Sequence, residues 1–134
     1  MVTTRDDQVN ILRHLLYNVV GIDRNDTDHP VTVCFEENTL KSIADFEGLT
    51  EDDIDQLLYT KTNTKTEKEE CTLLPVGYRA NLRHLRKYIK LITAQYHESH
   101  NSYPPISHWR TFNWDMFQVY KSRPAPAPTP PMRA

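Results

Sequence analysis

Three histidines, His97, His100 and His108, come closest to a metal-ligand pattern. The first two are three residues apart, a spacing that puts both rings on one side of a helix. Two such rings can hold zinc. The His-Glu-x-x-His arrangement of metal hydrolases needs one more intervening residue, and no carboxylate or Cys falls at a fitting spacing. Cys34 with His14, His29 or His84 would supply a thiol and a base, but no local nucleophile signature surrounds them. Cys34 falls on an apolar side, where a buried and inert thiol is expected. Glu51, Asp52, Asp53 and Asp55 gather oxygen ligands without the alternating positions and central Gly of a calcium loop. Helix capping and solvation explain that run better. The three glycines, Gly21, Gly48 and Gly77, cannot make a phosphate-cradling loop. Catalysis therefore has the least support, and the sequence implies no cofactor, metal or small-molecule substrate.

The remaining chemistry is electrostatic. Arg79, Arg83, Arg86, Lys87 and Lys90 recur at helical spacing and form a basic ridge. Such a ridge can follow phosphates, with Tyr78 and Tyr88 close enough to stack on bases. It can equally be a solvated helix face. The charge is polarised along the chain. Residues 1–70 carry 7 basic and 16 acidic side chains, a net of −9, and residues 71–134 carry 9 and 2, a net of +7. Such asymmetry points to an electrostatic partner: nucleic acid, another copy, or the other half of the same fold.

The elements that must position these groups read as helices. Val9, Leu12, Leu16 and Val19 predict a helix from Arg5 to Val20, begun by Thr4 with Asp7 and ended at Gly21. Asp28 is placed to cap a second helix carrying Pro30, Val31, Cys34 and Phe35. Leu40, Ile43, Ala44 and Phe46 mark a third piece. Thr50 and Asp53 open a fourth, with Ile54, Leu57 and Leu58 as its apolar face. Lys61–Glu70 contains no apolar residue and reads as a mobile polar loop. Tyr78, Leu82, Leu85, Ile89, Ile92 and Tyr96 predict a long helix over Val76–Tyr96, with the basic ridge about 100° around its axis. Trp109, Phe112, Trp114, Met116, Phe117 and Tyr120 are expected to dock back on the core, with Asn113 capping a last helix. The expectation is an all-α bundle of five to six helices over residues 1–121, followed by a disordered Pro-rich tail over 122–134.

Composition limits the setting. The chain has 134 residues, 38% of them apolar, which suits one domain with a modest core. No run approaches the roughly 20 apolar residues of a membrane span. No apolar signal segment opens the chain, and two cysteines give no disulfide framework. An intracellular protein is expected, cytoplasmic in preference to nuclear.

Two resemblances meet at these residues. Leu49-Thr50-Glu51-Asp52-Asp53-Ile54, followed by Gly77-x-Arg79 opening a helix with Leu82, Leu85 and Ile89, resembles a sterile alpha motif (SAM) domain over Ile43–Ile92. The Lys61–Glu70 stretch stands where that family has a short turn. Over Ile11–Tyr120 the chain is similar to the N-terminal Gag-like region of copia-type retrotransposon polyproteins. That similarity rests on Asp28-His29-Pro30, Leu49–Ile54, Pro75-x-Gly77-x-Arg79 and an aromatic end with Trp109 and Phe117. No Cys-Cys-His-Cys zinc knuckle is present. The resemblances imply a non-enzymatic interaction and self-assembly module. In it, an acidic face of one copy (Asp45, Glu51, Asp52, Asp53, Asp55) meets the basic ridge of the next, head to tail. Nucleic-acid binding through the ridge is the alternative.

Overall fold

The computed structural model describes residues 4–62 and 65–122. Helix α1 (Arg5–His14) begins where the Thr4 side chain accepts the Asp7 amide at 3.1 Å, with Asp6 and Asp7 in the first turn. The predicted helix then continues as a π-helical segment, Leu15–Val19, closed by the Val20 amide bonding the Leu15 carbonyl at 2.8 Å. The wider turn coincides with an almost continuous apolar face: Ile11, Leu12, Leu15, Leu16 and Val19 are all buried.

Helix α2 (Pro30–Glu37) is capped by His29 and not by Asp28 as expected: the His29 Nδ1 accepts the Val31 amide at 3.1 Å. Asp28 instead closes a local turn, its amide donating to the Asp26 carboxylate. Capping boxes start α3 (Ile43–Glu47), with Ser42 and Asp45, and α4 (Glu51–Asp55), with Thr50 and Asp53. Both helices are only five residues long. Each therefore depends on its cap and on one or two buried anchors, Ile43 with Phe46 and Ile54.

The expectation of purely helical structure is corrected here. Strands β1 (Leu58–Thr62) and β2 (Glu69–Leu73) pair antiparallel, so both ends of the predicted Lys61–Glu70 loop belong to a sheet. The register sets Leu58 against Leu73, Tyr59 against Thr72 and Lys61 against Glu70. Helix α2 holds β1 in place. The Asn38 amide donates to the Leu58 carbonyl at 2.9 Å, and the Glu37 carboxylate accepts the Thr60 amide at 2.7 Å. Leu58, expected on the buried face of α4, is exposed in β1.

Helix α5 (Val76–His100) runs one turn past the predicted end and stops at Asn101, whose φ of +52° is left-handed. Leu82, Leu85, Tyr88, Ile89 and Ile92 are its buried residues. Tyr88, read from sequence as a base-stacking side chain, is inside. Its ring packs against Phe112, Phe117 and Tyr120 at 4.7–5.8 Å between centroids. The chain returns through α6 (Ile106–Trp109) to α7 (Trp114–Ser122). Asn113 caps α7 as expected, its side-chain oxygen accepting the Met116 amide at 2.9 Å. Trp109 is fully buried and donates its indole N–H to the Pro104 carbonyl at 3.2 Å. Helix α1 packs on α3 and α6, and α5 packs on α3, α4 and α7. The described residues are mostly helical, with one two-stranded sheet. Apart from Ser122, which ends α7, the predicted tail lies outside the described residues.

Candidate interaction site

The ridge residues stand on one flank of α5, as the spacing predicts, and α4 packs against that flank. Arg83 forms an ion pair with Asp55, and the Lys87 ammonium sits 3.5 Å from the Glu51 carboxylate. The Arg86 Nε donates to the Leu49 carbonyl at 2.6 Å, and the Arg79 Nε to the Leu74 carbonyl at 2.9 Å. Lys90 makes no such contact among the described residues and borders a small cavity beside Phe46 and Glu47. The two faces expected to join separate copies therefore meet within one molecule. The cause is local: the hairpin reverses the chain, so the acids of α4 land against the cations of α5.

The rest of the acidic face is mostly engaged in capping. The Asp45 carboxylate accepts the amides of Lys41 and Ser42, both at 3.1 Å. Partial burial opposes its charge, yet these bonds, the Ser42 hydroxyl and nearby Arg5 hold its carboxyl below the ordinary value. Asp53 accepts the Thr50 amide at 2.9 Å. Asp52 is exposed, and its carboxylate makes no hydrogen bond among the described residues.

The candidates for catalysis are dispersed. Cys34 is buried, and that burial pushes its thiol up to about 11, so it stays protonated near neutrality. His14 lies 2.9 Å from the Phe112 carbonyl through Nε2 and 2.9 Å from the Asn18 amide through Nδ1. His84 is largely exposed on α5, and the partial burial of its ring lowers its pKa, joined by Lys121, Lys87 and Arg83. His100 stacks on Tyr96 at 4.0 Å, and His108 packs on Tyr96 at 4.6 Å. Among the described residues, no three His, Cys, Asp or Glu side chains gather to hold a metal ion. No described helix is long and apolar enough to cross a membrane.

Sequence reasoning missed a different surface. Between α5 and α7 lies an open groove of about 360 Å³. Helix α5 supplies Tyr88, Leu91, Ile92 and Gln95, at i, i+3, i+4 and i+7. The opposite wall is Phe112 with Met116, Val119 and Tyr120 of α7. No lining residue is charged. Leu91, Met116 and Val119 remain 38%, 40% and 57% exposed, high values for large apolar side chains meeting at one place. The sequence signal was partial: Leu91 and Val119 lie outside the predicted apolar stripes, whereas Met116 and Trp114, expected to dock on the core, are exposed because only the Phe117 face of α7 packs inward. The chain matches no protein-family model, no curated protein and no solved structure.

Proposed function

We propose that this chain is a non-enzymatic interaction and self-assembly module that works through the uncharged groove between α5 and α7. One observation carries the reading: three large apolar side chains, Leu91, Met116 and Val119, converge in the open on a groove without charge. Covering them would remove apolar surface from water at about 25 cal/mol per Å². The ridge is a poorer docking surface, because a partner would first have to displace Asp55 and Glu51. The motif resemblance to Gag-like regions supports a structural, assembling role. The test is the mass of the full chain in solution across a wide concentration range. The mass should rise with concentration, and Leu91→Asp combined with Val119→Asp should hold the chain monomeric. A wild type that stays monomeric throughout overturns the reading.

A second reading rests on the cations that α4 does not engage. Among the described residues, Lys90 makes no ion pair and the Lys121 ammonium bonds only the neutral Asn81 side chain, at 2.8 Å. Cations left without a carboxylate suit a phosphate polymer. Oligonucleotide affinity should then fall steeply with salt and weaken in Lys90→Glu and Lys121→Glu. No shift of a labelled oligonucleotide dismisses this reading.

A further inference from the structure

The groove has a wall of aromatic rings, no charge, and two polar groups without a protein partner among the described residues. The Gln95 side chain and the Tyr120 hydroxyl make no hydrogen bond among the described residues. Aromatic-lined grooves with scattered hydrogen-bond donors take proline-rich strands, which are already extended and lose little entropy on docking. This chain carries such a sequence. Residues 124–131 read Pro-Ala-Pro-Ala-Pro-Thr-Pro-Pro, also without charge, and begin two residues after α7 ends.

Length and direction identify whose groove the strand fills. Lys121 bonds Asn81 at 2.8 Å, while the Met116 end of α7 lies beside Gln95, so α7 runs back along α5. At 1.5 Å per residue, the groove wall from Tyr88 to Gln95 spans about 10 Å of α5. Eight residues in a polyproline helix span about 25 Å. The strand is thus long enough to fill the groove. To enter its own groove, however, the chain would have to reverse at Ser122 and Arg123. A residue before proline is disfavoured in the helical conformations of a tight reversal, and Arg123 precedes Pro124 in the sequence. Residues 125, 127, 129 and 130 also precede prolines and are restricted in the same way.

Resting on the self-assembly reading, we propose that residues 124–131 of one copy dock in the α5–α7 groove of a second copy. Strand and groove are different surfaces, so the contact is heterologous and can propagate into open chains.

The experiment uses two full-length variants. One replaces Pro124, Pro126, Pro128, Pro130 and Pro131 by Ser. The other carries Leu91→Asp and Val119→Asp, both at exposed positions, and circular dichroism confirms its fold. Each variant alone should be monomeric where the wild type forms larger species. An equimolar mixture should give a dimer and nothing larger, because it offers one intact strand and one intact groove. A proline variant that assembles like the wild type overturns this inference and leaves the self-assembly reading standing. Two monomeric variants whose mixture also stays monomeric overturn it as well. A monomeric wild type overturns both.

Discussion

Gly21 is constrained twice. Its φ of +90° is a conformation that L side chains rarely adopt, and a Cβ there would come within 2.9 Å of the Trp114 ring. Gly21→Ala should therefore cost about 1–3 kcal/mol, read as a lowered thermal midpoint. Part of the clash can be relieved because Trp114 is half exposed. An alanine variant as stable as wild type would show that the turn after the π-helical segment is not held by this contact. His84 and His108 add a pH dependence. Burial is the leading cause of the lowered pKa of each, joined by Lys121, Lys87 and Arg83 for His84 and by His100 for His108. The unfolded chain then binds protons first as pH falls below about 6.5. The contribution to stability is fully present above that value and declines as pH falls toward the lowered folded values. Urea midpoints across the histidine range should fall with acid, and the fall should be shallower in His108→Asn. Equal slopes for the two proteins would contradict the assignment.

At the scale of elements, the acidic α4 and the basic flank of α5 form one internal contact. The Arg83–Asp55 pair is about one-third exposed, and the Lys87–Glu51 pair about half. A double-mutant cycle on the first should give a coupling of about 0.5–1 kcal/mol that shrinks with salt, and the second should give close to none. A first-pair coupling near zero at low salt would mean that α4 does not rest on these charges. Much of this level was legible in the residue pattern. The apolar spacing of α5, the Thr50–Asp53 cap and the Asn113 cap were all readable, because helix period and capping are local. The hairpin was not, because Lys61, Thr62, Glu69 and Glu70 carry no apolar signal. Their strand state depends on pairing across the hairpin, Lys61 with Glu70 and Thr62 with Glu69, and on the anchoring of β1 by Asn38 and Glu37, 20 and 23 residues away from the groups they bond. The engagement of the ridge was hidden for the same reason: spacing shows that five cations share a flank, not which element covers it.

For the whole molecule, the strong charge asymmetry between the halves is partly used up in folding. The proposed partner surface is the uncharged groove between α5 and α7, whereas Trp109 and Phe117 are fully buried in the core. Trp109→Ala should cost about 3–5 kcal/mol, and unfolding by urea at a much lower midpoint would register it. Removal of the groove's exposed side chains should instead leave the midpoint nearly unchanged while abolishing association. The most direct test of the account is the salt dependence of self-association in the full chain. Association through the groove should be as strong, or stronger, in concentrated sodium sulfate, which favours apolar burial. Dissociation on raising sodium chloride from low to high concentration would contradict the account and return the partner contact to the charged ridge.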